Sequence, residues 1–195
     1  MGVVRKVRAQ ELHAARETCK LVDVASESNT RLIVLRGPAA AGKSSVAARL
    51  LESPRPTALI EQDAYRFIFN VREGDAYSKA VRQLVRDSVL GALSNGFDVI
   101  LEGILSVRGY REVFATLFRE HPRNYHLFYF QVSFEETVRR HAGRAKAPLF
   151  GEDDMRRWYK AGDLLGYDFE RVIDEGSSLD GTVELIRRAI ADTAE

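Results

Sequence analysis

Residues 31–51 read RLIVLRGPAAAGKSSVAARLL, from Arg31 to Leu51. An uninterrupted apolar run, Leu32–Leu35, leads into Gly37-Pro-Ala-Ala-Ala-Gly42-Lys43-Ser44, which matches G-x-x-x-x-G-K-[ST] without a departure. SSVAARLL then continues with helical spacing. A buried strand, a glycine-bounded turn and a helix in that order form a cradle for an anion. Glycine lets the backbone bend until successive N–H groups face one centre, and the helix N-terminus adds a positive dipole. Gly37, Ala39, Ala40, Ala41, Gly42, Lys43, Ser44 and Ser45 are therefore the expected phosphate-contacting residues. Lys43 would reach the β and γ phosphates, and the Ser44 hydroxyl would ligate Mg²⁺. The expected ligand is a nucleoside triphosphate.

Four further apolar runs stand out: Ala58–Ile60, Val99–Leu101, Leu127–Val132 and the weaker Val172–Ile173. Most are continuous rather than alternating, as in strands covered on both faces, which predicts a parallel sheet. Helical stripes lie between them. In Tyr77–Asn95 the stripe is Val81, Leu84, Val85, Val89, Ala92 and Leu93, with Gly96 as the stop, and Val183, Ile186 and Ile190 mark a C-terminal helix. Alternating strands and helices imply a doubly wound α/β domain over residues 31–195. Residues 1–30 precede it as an extension. Its segment from about Val7 to Val24 carries Leu12, Ala15, Cys19 and Val22 at helical spacing, suited to packing on the helical layer or to a partner.

Composition narrows the possibilities. A chain of 195 residues is one domain by size. Lys plus Arg total 29 against 28 Asp plus Glu, so the net charge is +1 and the basic excess typical of nucleic-acid binding is missing. No apolar run reaches the roughly 18 residues of a membrane span. A lone cysteine, Cys19, forms no intrachain disulfide, and the first residues lack the apolar core of a signal peptide, so the cytoplasm is the expected compartment. The four histidines are scattered, without metal-ligand spacing.

A phosphate loop alone does not separate a kinase from a GTPase or a motor ATPase. The ALIEQ run ends at Asp63, with Arg66 one helical turn on. Ligands of a parallel sheet bind at the carboxyl ends of its strands, so Asp63 is expected to face the γ-phosphate from the strand beside the loop. A carboxylate there accepts the proton of an attacking hydroxyl; a helix N-cap is the alternative role. Arg66 would hold an anionic group of the acceptor. Glu102, next to last in FDVILEG, would hold Mg²⁺ through water, orient the acceptor, or serve as a capping or structural carboxylate. Ser133 and Glu136 form a capping box opening a helix with Arg139, Arg140 and Arg144, and a second helix from about Glu152 bears Arg156 and Arg157. Two arginine-rich helices joined by a loop with Pro148 and Gly151 suit a mobile lid over about 134–160; solvated helix faces with i,i+4 pairs are the plainer account. Arg82 and Arg86 share a helix face, fit to grip an anionic acceptor or to stand in solvent. Tyr65, Phe67, Phe69, Tyr77 and Tyr110 would wall a pocket or pack in the core.

Together GPAAAGKS, Asp63-x-x-Arg66, VILEG and RRHAGR resemble the P-loop kinases of small acceptors, in the zeta-toxin, chloramphenicol phosphotransferase and polynucleotide-kinase branch. The resemblance covers most of residues 31–194. It implies a three-layer fold with a five-stranded parallel sheet in order 2-3-1-4-5, ATP with Mg²⁺, and γ-phosphate transfer to an acceptor hydroxyl. By position it makes Asp63 the general base, Arg140 the lid arginine stacked on adenine and Arg144 the one touching phosphates, and it sets the loop at about 175–178 near the adenine. The resulting expectation is an ATP-dependent kinase of a small or medium-sized molecule, with Asp63, Lys43 and Arg144 as catalytic residues and neither nucleic acid nor a membrane as partner. A 5′-hydroxyl polynucleotide kinase and a non-enzymatic nucleotide sensor are the alternatives.

Overall fold

The computed structural model describes residues 30–71, 73–121, 124–143 and 149–191. The extension at 1–29, with its expected helix, lies outside the described residues. Strand β1 (Leu32–Arg36) runs into the phosphate loop, and helix α1 (Lys43–Leu51) leaves it. There follow β2 (Thr57–Glu61), the short α2 (Gln62–Arg66), α3 (Asp75–Ser94), β3 (Asp98–Gly103) and α4 (Val107–Glu120). The chain closes with β4 (Tyr125–Gln131), α5 (Phe134–Ala142), α6 (Glu152–Trp158), β5 (Glu170–Asp174) and α7 (Leu179–Ala191). The strands form one parallel sheet in the order β2-β3-β1-β4-β5.

The apolar runs become strands because side chains alternate across a sheet that is covered on both sides. Ile33 and Leu35 of β1 pack with Val46, Ala47 and Leu50 of α1 and Val183, Ile186 and Ile190 of α7. Leu32 and Val34 face the other way, toward Val85, Val89 and Leu93 of α3 and Phe114 and Leu117 of α4. These two cores make the three layers. The edge strands are less covered: β2 is mostly half-buried and Val172 of β5 is exposed.

The order of strands corrects one expectation. β2 pairs with β3, not with β1, so Asp63 approaches from the second strand away rather than from the strand beside the loop. β3 lies between and brings Glu102 and Gly103 alongside Leu35 and Arg36.

His126 is buried in β4, opposite Ile33. Burial, then Arg171 and Arg31, lower its pKa to about 4 against the opposing pull of Asp98. The unfolded chain binds this proton near pH 6.5 and the folded chain does not, so stability falls as the solution is acidified. Urea unfolding between pH 7 and 5 should show a decline on the order of 1 kcal/mol per pH unit below pH 6.5. The slope should flatten in His126→Gln; an unchanged slope would assign the acid sensitivity to other groups.

Candidate active site

The site begins where β1 ends. At Gly37 an added Cβ would sit 2.6 Å from the Phe130 carbonyl oxygen, so only glycine lets the chain pass β4 there. The loop then turns through Ala40, with φ 60°, and enters α1 at Gly42, with φ 100°. Ala40 packs with Phe134 of α5 and Met155 of α6, which set the two arginine-bearing helices against the loop.

Lys43 is buried, and its ammonium donates to the carbonyls of Gly37 (3.0 Å) and Pro38 (2.7 Å). The charge is thus drawn into the turn that it closes. The Ser44 hydroxyl donates to Glu102 Oε1 at 3.1 Å. Burial holds the Glu102 carboxyl above its ordinary pKa, while Lys43 and the Ser44 hydroxyl pull it back down and Glu61 and Asp63 add repulsion. Lys43, Ser44, Glu102 and Asp63 therefore share one electrostatic neighbourhood at the carboxyl edge of the sheet.

Asp63 occupies the first turn of α2, whose N-cap is Glu61, so the N-cap alternative does not hold for it. Its side chain is 60% exposed and lies 3.7 Å from the Arg66 guanidinium. The neighbouring Gln62 is fixed by a hydrogen bond from the Leu105 N–H (3.1 Å) and lies so close to Gly103 that a Cβ there would come within 2.6 Å of its own Cβ. Gln62 thereby ties α2 to the end of β3.

Across the loop, Arg140 joins three parts of the molecule. It donates to the Ala41 carbonyl (3.1 Å), to the Glu175 carbonyl (2.7 Å) and to Glu136 (2.6 Å). A cavity of about 230 Å³ opens beside it, lined by Ala41, Gly42, Ser45, Asp174 and Ser177 among others. The two larger cavities lie at the amino ends of the strands, around Asp98 and His126, away from the loop.

The other arginines of α5 and α6 behave differently. Arg139, Arg156 and Arg157 each pair with an acid of their own helix, Glu136, Glu152 and Asp154, and are mostly exposed. Arg144 and Lys146 lie outside the described residues. Only half of the expected capping box forms. Ser133 Oγ accepts from the Glu136 N–H at 3.4 Å, but the Glu136 carboxylate turns to Arg139 and Arg140. Glu175 takes its place, accepting from the Ser133 N–H (2.8 Å) and hydroxyl (2.7 Å). The loop after β5 thus caps α5.

The aromatic wall is only partly assembled. Tyr110 is buried, Tyr65 is half-buried against the core, Phe69 meets Tyr77 edge to face, and Phe67 is 63% exposed.

Sequence reading overlooked Arg36. Fully buried at the end of β1, it donates to Asp163 (2.9 Å), Glu170 (2.8 Å) and the Leu105 carbonyl (3.3 Å), and lies over the Tyr129 ring. Asp163 also accepts from the Val107 N–H at the start of α4 (2.9 Å). One guanidinium therefore ties the entrance of the phosphate loop to the β3–α4 turn, to Asp163 and to the first residue of β5. The available signal was a charge closing an otherwise apolar strand, directly before Gly37.

Comparison with known proteins gives a family and a fold. No curated protein matches the chain. Among solved structures, a protein of Chloroflexus aurantiacus J-10-fl described provisionally as a kinase superposes with a TM-score of 0.66 at 16% identity, over 87% of this chain and 100% of that one. A gluconokinase of Sinorhizobium meliloti 1021 gives 0.59 at 20% identity, over 86% and 94%. The Mycobacterium tuberculosis APS kinase, in complex with AMPPNP and APS, gives 0.59 at 15% identity, over 85% and 99%. The fold is thus the P-loop kinase fold that the sequence resembles. The AAA domain profile matches residues 32–161, two thirds of the chain and the whole of the loop, Asp63, Glu102 and Arg140, so the protein belongs to the AAA domain family of P-loop proteins.

Proposed function

We propose that the protein is an ATP-dependent kinase that transfers the γ-phosphoryl group to a hydroxyl of a small or medium-sized acceptor. The observation carrying this reading is the gathering of Lys43, Ser44, Glu102 and Asp63 at one sheet edge, with Ser44 bonded to Glu102 and the Glu102 carboxyl sensing both Lys43 and Asp63. Nucleotide phosphates would displace the Gly37 and Pro38 carbonyls as partners of Lys43. The cavity beside Arg140 would take the base, with Arg140 bridging it to the loop.

Hard oxygen donors suit Mg²⁺, and the Ser44 hydroxyl and the Glu102 carboxylate are such a pair. Burial raises the Glu102 pKa, and a cation at this point would favour its charged form. Among the described residues no three His, Cys, Asp or Glu side chains gather to hold a metal, so the remaining ligands would be phosphate oxygens and water. When bound, Mg²⁺ neutralises charge on the transferring group.

Asp63 would accept the proton of the acceptor hydroxyl while that oxygen bonds to the γ-phosphorus. The bond from the γ-phosphorus to its bridging oxygen breaks and ADP departs. Lys43 and the loop amides would stabilise the charge that spreads over the transferring group. Closure of the lid segment, about 134–160, would bring Arg144 to the phosphates and exclude water.

A metabolite extract incubated with the protein, ATP and Mg²⁺ should contain one species that gains the mass of a phosphoryl group. Lys43→Ala should abolish the gain and weaken AMPPNP binding about 10²- to 10⁴-fold, the size of two lost charge-assisted hydrogen bonds. Persistence of the gain in Lys43→Ala would contradict the assignment.

A further inference from the structure

Many of the chain's helical arginines pair with a nearby acid, and the half-buried Arg82 does not. Arg49, Arg139, Arg140, Arg156, Arg157 and Arg188 each meet an acid three or four residues away. Arg82, half-buried on α3, has Ser78, Lys79, Val85 and Arg86 at those positions, and no acid. Among the described residues it makes no ion pair and no hydrogen bond. Arg86, on the same face, is different: Asp87 holds it at 2.6 Å.

Opposite Arg82 lies α4. The Arg82 Cδ is 3.9 Å from where a Cβ on Gly109 would stand. The next residue is Tyr110, whose hydroxyl is buried and has no hydrogen-bond partner among the described residues. Burial pushes its pKa up to about 12; the Gln62 amide, Arg82 and Arg66 oppose that and Asp63 adds to it. The Gln62 amide stands beside the hydroxyl without completing a bond of good geometry. Among the described residues the Arg66 guanidinium has only the long contact to Asp63. An unmade buried hydrogen bond and an unpaired half-buried cation are each unfavourable, and they adjoin the proposed base.

We propose that Arg82, Arg66 and the Tyr110 hydroxyl form an anion subsite, and that the acceptor is a hydroxylated compound bearing a carboxylate or a phosphoryl group. The anion supplies the acceptor for the Tyr110 hydroxyl and the missing partner for Arg82. Held there, the rest of the molecule extends toward Asp63, which receives its hydroxyl. Arg82 and Tyr110 bind the acceptor and take no proton. The inference rests on the kinase reading for the hydroxyl alone; the anion site stands on its own observations.

The test uses the full chain saturated with AMPPNP and Mg²⁺, titrated calorimetrically with matched probes: D-glycerate against glycerol, D-gluconate against D-glucitol, and ribose 5-phosphate against ribose. At least one anion of these pairs should bind at least 10-fold more tightly than its neutral partner, and the carboxylate and phosphoryl arms show which anion the site takes. Arg82→Gln should weaken that anion about 10- to 100-fold, the range of a charge-assisted contact, and leave the neutral probe unchanged. Arg86→Gln should alter nothing. Tyr110→Phe should weaken the anion while leaving the melting temperature equal or higher, because the hydroxyl it removes has no protein partner. Equal binding of anions and neutrals, no binding of any anion, or an anion preference that survives Arg82→Gln would overturn the proposal. Anion binding lost in Arg82→Gln, together with no ATP-dependent phosphorylation of any acceptor, would retain the subsite and remove the kinase reading.

Discussion

Asp63→Asn should slow phosphoryl transfer about 10²- to 10⁴-fold while the AMPPNP dissociation constant moves by less than about threefold. The asymmetry follows from position. Asp63 stands on α2, which follows the strand second from β1, and its partner among the described residues is Arg66; at Glu102 it adds repulsion. Binding of the nucleotide therefore does not depend on it. In the proposed reaction, proton removal from the acceptor would depend on it, since Asp63 is the acid within α2 and Glu102 is engaged by Ser44. Single-turnover transfer compared with equilibrium AMPPNP binding separates the two. Equal losses in both would make Asp63 a contributor to folding of the loop rather than a base.

Arg36→Ala should destabilise the protein by about 3–5 kcal/mol, a large part of the 5–15 kcal/mol that holds a domain of this size. The loss comes from the partners left behind. Glu170 is 3% exposed and Asp163 20% exposed, so neither carboxylate recovers full hydration when the guanidinium goes. The Leu105 carbonyl and the N-terminus of α4 lose their common anchor as well. Urea unfolding of Arg36→Ala measures the effect. The triple change Arg36→Met, Asp163→Asn, Glu170→Gln should recover most of it, since the burden is the uncompensated charge and not the missing side chain. A loss under about 1 kcal/mol in the single variant would mean that water reaches the pair.

Much of the fold was legible because a parallel sheet covered on both faces writes itself as continuous apolar runs. All five runs became strands, and the stripe Val81, Val85, Val89, Leu93 became the buried face of α3. The phosphate loop was legible because only glycine passes Phe130 at position 37, and such steric demands leave fixed spacings in a sequence. Periodicity does not reveal which strands pair, so Asp63 was expected one strand too near the loop. Nor does it show long-range polar partners. Arg36 meets acids 127 and 134 residues away, and Glu175 replaces half of a local capping box from 42 residues downstream. The arginines of α5 looked alike in sequence. What separates Arg140 from Arg139 is one helical step, about 100° of rotation, which turns the former to Ala41 and the latter to solvent.

The most direct test of the convergence of loop and acid is a crystal structure with AMPPNP and Mg²⁺ bound. A near-attack acceptor oxygen about 3–3.5 Å from the γ-phosphorus and hydrogen-bonded to the base requires an Asp63 carboxylate oxygen within about 6 Å of that phosphorus. That distance, with Lys43 on the β and γ phosphates, is the predicted result. An Asp63 carboxylate more than about 10 Å away, or turned from the nucleotide with the lid closed, would contradict it.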